Sequence, residues 1–150
     1  MAAAVLHNKV SDLVTPKVIV TSSGTSNYHV GEGPNISSLR TWESAGYKYK
    51  HVARQFHPES FAKQDLILCM DLSNRAMVLT AAKSEADRSK VFMLRQFDPE
   101  LKGIDPLSRQ GEELVVPDPW GMEMDAFEEV LEMVERATDG LIKEISLISK

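Results

Sequence analysis

Apolar residues at Val5, Leu6, Val10, Leu13 and Val14 recur at the three-to-four-residue spacing of one helical face, continuing the helix-like run from Met1 to Val10, and Pro16 ends the pattern. The next run, Lys17 to Thr21, is short and β-branched between Pro16 and Ser22-Ser-Gly24, which predicts a buried strand feeding a loop. Gly, Ser and Asn dominate Gly24 to Pro34. A second helix is expected from about Asn35, a suitable N-cap, to Ala45, with Gly46 as its stop.

Pro58 to Gln64 reads as a short helix with Pro in its first turn, followed by a strand over Leu66 to Met70 that Asp71 closes. A third helix is expected over Ser73 to Ala82, and another strand over Lys90 to Leu94. Between Asp98 and Gly121 stand Pro99, Pro106, Pro117 and Pro119 with Gly103 and Gly111, an irregular stretch of the functional or mobile kind. From about Met124 the positions Phe127, Val130, Leu131, Val134, Leu141, Ile142 and Ile145 return to helical spacing. Three strands alternating with helices predict an α/β fold, a parallel sheet flanked by helices on both faces, and the chain carries no repeat that would argue for a second domain. Residues 1–150 are read as one domain.

At 150 residues the chain can bury roughly two-thirds of its unfolded surface. It is 43% hydrophobic and 26% charged, with no apolar run near the roughly 20 residues that span a bilayer. Met1 to Leu6 lacks the basic flank and length of a signal peptide, so a cytoplasmic location away from membranes is expected. A net charge of −5 with dispersed cations argues against nucleic acid as a partner. One Cys and four scattered His offer neither a disulfide nor a metal-ligand spacing, and no cofactor is expected.

Val116-Pro-Asp-Pro-Trp120 is the strongest local signal. Prolines on both sides of Asp118 fix their own φ, and Pro119 drives Asp118 into an extended conformation, so a carboxylate is presented from a stiffened loop; the plainer reading is a surface turn with a solvated Asp. Cys69 lies inside an apolar strand, where a thiol behaves as a small hydrophobe of low reactivity. No Arg follows it at a useful spacing, and no Gly-rich nest of N–H groups surrounds it.

Taken together, Ser22-Ser-Gly-Thr-Ser-Asn-Tyr-His-Val-Gly31, Val52-Ala-Arg-Gln55, Leu66-Ile-Leu-Cys-Met-Asp-Leu-Ser-Asn74 and Val116-Pro-Asp-Pro-Trp120 resemble the low molecular weight protein tyrosine phosphatases over nearly the whole chain. The resemblance implies a sheet of order 2-1-3-4. It also implies a catalytic loop, Cys-x5-Arg followed by Ser-Pro, ending just before the residue that resembles Met1, so that the first strand and the nucleophile are expected to be missing from these residues. A start assigned to an internal Met, or truncation of a longer protein, is the expected origin, because an unfilled slot inside a sheet leaves buried N–H and C=O groups unpaired at about 1–3 kcal/mol each.

The same resemblance makes Asp118 the general acid, Tyr28 and Trp120 the aromatic walls for the substrate ring, and Ser22 and His51 the residues that support the catalytic loop. The implied substrate is a phosphotyrosine protein or aryl phosphate, hydrolysed through a cysteinyl-phosphate in the full-length form, with phosphate-like anions bound only when that loop is present. The 150 residues alone are expected to be inactive. A non-catalytic binding module is the alternative; an arsenate reductase would need relay cysteines that the sequence does not have. Glu32-Gly-Pro-Asn-Ile36 and Met77 depart from the family's usual pattern.

Overall fold

A computed structural model describes residues 1–13 and 15–148. Val14, assigned to the first helical face, lies outside the described residues. The elements are α1 (Ala2–Val10), α2 (Ile36–Ser44), α3 (Ser60–Lys63), β1 (Ile67–Cys69), α4 (Leu72–Ala81), α5 (Glu85–Arg88), β2 (Val91–Met93) and α6 (Met124–Ile148). Local chemistry explains most boundaries. The Asn35 side chain accepts from the N–H groups of Ser37 and Ser38 at the start of α2, and Gly46, at φ +90°, terminates it. Asp71 ends the strand by capping the next helix, its Oδ1 accepting from the Asn74 N–H at 2.6 Å.

Strands β1 and β2 pair in parallel, Ile67 with Val91, Leu68 with Phe92 and Cys69 with Met93. Because side chains alternate across a strand, the two faces feed separate cores. Leu68 and Met70 pack toward Val5, Leu94, Val116, Val130, Leu131, Val134 and Ala137, the layer built with α1 and α6. Ile67 and Cys69 pack toward Phe61, Val78, Val91, Met93 and Leu114, the layer built with α3 and α4. Helices thus cover both faces of a parallel sheet, as the alternation of elements predicts. Gly140 sets how closely α6 approaches: a Cβ there would stand 1.8 Å from the Phe97 carbonyl oxygen.

The expectation of a strand over Lys17 to Thr21 is not met. Residues 17–21 carry no ladder, and Ile19 is 78% exposed. β-branched composition makes a segment compatible with a strand, but only a partner edge turns it into one; among the described residues none of the backbone hydrogen bonds reaches 17–21. Among the described residues the sheet is therefore two-stranded, not three-stranded. Just beyond this segment the chain is stitched to His51–Phe56 instead: Gly24 donates to the Arg54 carbonyl at 2.7 Å, Phe56 to that of Gly24 at 2.7 Å, and Gly31 to that of Ala53 at 2.8 Å.

The irregular stretch from Asp98 to Gly121 is firmly anchored. Asp98 is wholly buried and meets the Arg136 guanidinium of α6 at 3.1 and 3.3 Å, while its Oδ1 also accepts from the Glu100 N–H. Gly111 and Leu114 are buried in a single 3-10 turn over Gly111–Leu114.

Candidate active site

The Asp118 loop springs from the carboxyl end of the sheet, where ligands of open parallel α/β folds bind. The N–H of Val116 donates to the Met70 carbonyl at 2.7 Å, one residue past β1, and Arg95 Nη1, two residues past β2, donates to the Val115 carbonyl at 3.0 Å. Leu114 and Val116 are buried and hold the base of the loop, whereas Pro117, Asp118 and Trp120 stand in solvent. At the tip, Asp118 Oδ1 accepts the Trp120 N–H at 3.0 Å and the Met122 N–H donates to the Pro119 carbonyl at 2.9 Å. The carboxylate is thus fixed by a turn of its own making and no ion pair reaches it among the described residues.

Ser22 and His51 come together, Ser22 Oγ lying 3.3 Å from His51 Nδ1. Burial, with the positive charge of the chain's amino group and of Arg54 adding to it, lowers the pKa of His51. The neutral ring this favours can either accept the Ser22 hydroxyl proton at Nδ1 or donate one to it. The Tyr49 ring lies tilted between His51 and His7, with centroid distances of 6.5 and 5.3 Å. A cavity of about 290 Å³ opens here, lined by Ser22, Ser23, Ser26, His29, His51 and Arg54 together with Gly24, Val30 and Ala53.

Tyr28 and Trp120 are 84% and 75% exposed. No hydrogen bond or ring contact joins Tyr28 to Asp118 or Trp120 among the described residues, so the candidates form two groups: Asp118 with Trp120, and Ser22 with His51. Cys69 belongs to neither. It is buried in β1, and burial first, helped by Asp71 and opposed by Arg75, pushes its thiol up to about 11. Such a thiol is almost wholly protonated near neutrality and is a poor nucleophile. Sequence reasoning does not single out Arg95. An arginine after an apolar strand carries no spacing signal, and its acceptor is a backbone carbonyl.

The family described as "Low molecular weight phosphotyrosine protein phosphatase" matches residues 1–148 in sequence. The chain belongs to that family. Among its relatives, the "Low molecular weight protein-tyrosine-phosphatase" of Streptomyces coelicolor is 36% identical over 143 residues, which cover 95% of this chain and 82% of the relative. The human "Low molecular weight phosphotyrosine protein phosphatase" is 30% identical over 138 residues, 91% of this chain and 80% of its own. In structure, a protein tyrosine phosphatase from Entamoeba histolytica, solved with Hepes in its active site, superposes with a TM-score of 0.82 at 26% identity, covering 97% of this chain and 86% of that one. Members of the low molecular weight phosphatase family are enzymes acting on phosphate esters, and the α/β architecture described above is theirs.

Proposed function

We propose that the protein hydrolyses phosphotyrosine in proteins, or a comparable aryl phosphate, in the cytoplasm, with Asp118 as general acid and then general base. The nucleophile is the thiolate of a Cys-x5-Arg loop lying outside these 150 residues. It attacks phosphorus, a P–S bond forms, and the P–O bond to the phenol breaks as the Asp118 carboxyl gives its proton to the departing oxygen. A phenolate leaves with a pKa near 10, so the proton lowers the barrier substantially. In the second step water attacks phosphorus, the P–S bond breaks and the thiolate returns, while the Asp118 carboxylate takes the proton of the water. Trp120 and Tyr28 wall the ring of the substrate, and Ser22 with His51 props the phosphate-binding loop.

The observation that carries this reading is the bond from the Trp120 N–H to Asp118, which holds acid and aromatic wall in one turn at the carboxyl end of the sheet. Cys69, buried and with its thiol at about 11, supports the companion proposal that the 150 residues alone are inactive. The test compares turnover of an aryl phosphate by the 150-residue chain and by the same chain preceded by a strand and a Cys-x5-Arg-Ser-Pro loop. Turnover only in the second is expected. Turnover by the short chain that disappears in Cys69→Ser would overturn the reading of both the nucleophile and Cys69.

A further inference from the structure

The loop that carries Asp118 is gripped at its base from two directions, and the two grips are of different kinds. Val116, through its N–H, continues the hydrogen bonding of β1 by donating to the Met70 carbonyl at 2.7 Å. Val115, through its carbonyl, receives Arg95 Nη1 at 3.0 Å. The first is backbone to backbone and available to any residue except proline; the second depends on one side chain. Arg95 sits in the 3-10 turn Leu94–Phe97 directly after β2, a turn fixed at its start by Gln96, whose side-chain oxygen accepts the Met93 N–H at 2.8 Å.

We propose that Arg95 is a positioning residue for the general acid: its guanidinium, carried on a turn that Asp98 ties to α6, fixes the base of the loop and so the place of the Asp118 carboxylate. The proposal rests on the reading of Asp118 as the acid. Three observations carry it. Arg95 Nε is buried and has no partner among the described residues. An idle buried N–H is costly, so the Nη1 bond to Val115 is made against that cost. Second, the turn that bears Arg95 is closed by the Asp98 N–H donating to the Arg95 carbonyl at 3.1 Å. Third, Asp98 is locked to α6 by two contacts to Arg136 Nε at 3.1 and 3.3 Å, so the turn bearing Arg95 is tied to the longest helix of the molecule. The chain of contacts runs from α6 through Asp98 and the turn to Arg95, Val115 and the acid.

The test reads the loop without using activity, in the protein that carries the Cys-x5-Arg loop. The Trp120 amide donates to Asp118 Oδ1, so its chemical shift reports the placement of that carboxylate. The Ile67 amide, which donates to the Lys90 carbonyl in the sheet, is the internal reference. Arg95→Met keeps the apolar stem and removes the donors; loss of one charge-assisted hydrogen bond is expected to speed exchange of the Val116 and Trp120 amides about tenfold. The Trp120 amide resonance should move toward that of an unbonded amide, Ile67 should be unchanged, and Arg95→Lys should recover part of both effects. Unaltered Val116 and Trp120 amides in Arg95→Met overturn the proposal. Equal acceleration of Val116, Trp120 and Ile67 also overturns it, because Arg95 would then serve general stability. Failure of the Asp118 reading shows elsewhere, in the leaving-group dependence of Asp118→Asn, and would leave the hold of Arg95 on the loop intact.

Discussion

Asp118 Oδ1 and the backbone N–H of Trp120 are 3.0 Å apart, and Pro119 between them has no N–H to compete for the carboxylate. The aromatic ring takes no part in this bond. Trp120→Ala is therefore expected to keep the acid in place while removing one wall of the cleft. In the protein carrying the Cys-x5-Arg loop, steady-state kinetics should show a higher KM for aryl phosphates with kcat nearly preserved. A loss confined to kcat would mean that the indole itself positions the acid.

Cys69 makes stability fall in alkaline solution. Its thiol is raised from 9.0 to about 11 in the folded protein. Below pH 9 the thiol is protonated in both states and its contribution is fully present; as pH climbs toward 11 the unfolded chain loses its proton first, and the native state is progressively disfavoured. Two units correspond to about 2–3 kcal/mol. Urea titrations across this range should show Cys69→Ala losing less stability with rising pH than the parent, by about that amount.

Asp98 is the buried charge on which the irregular stretch depends. Asp98→Ala leaves Arg136 without its main partner and the Glu100 N–H without an acceptor. Arg136 is 37% exposed and keeps Glu100 at 3.5 Å, so chemical denaturation should record a loss of about 1–3 kcal/mol, below that of a fully buried pair. Arg136→Leu combined with Asp98→Leu should cost less than Asp98→Ala alone, since no charge is then stranded.

Much of this architecture is legible in the amino-acid pattern. Leu66 to Met70 and Lys90 to Leu94 read as strands and are strands at their centres, and Asn35, Gly46 and Asp71 mark helix boundaries by capping chemistry that acts within a few residues. Lys17 to Thr21 misleads, because strand formation depends on a distant edge and not on local propensity. The Asp118 loop is visible through its two prolines. Ser22 and His51, 29 residues apart, are each marked only by family resemblance, and the fold pairs them. Arg95, whose acceptor is a carbonyl 20 residues away, leaves no trace in sequence, since every residue offers such a carbonyl.

The general-acid role of Asp118 is tested most directly by the leaving-group dependence of Asp118→Asn, measured at saturation in the protein that carries the Cys-x5-Arg loop. Phenols of high pKa need the proton and activated phenols of low pKa do not. General acid catalysis is typically worth about 10²–10⁴-fold, so the variant should lose about that factor in kcat on poor leaving groups and little on good ones. Equal losses on both classes would contradict the assignment and make Asp118 a structural residue of its loop.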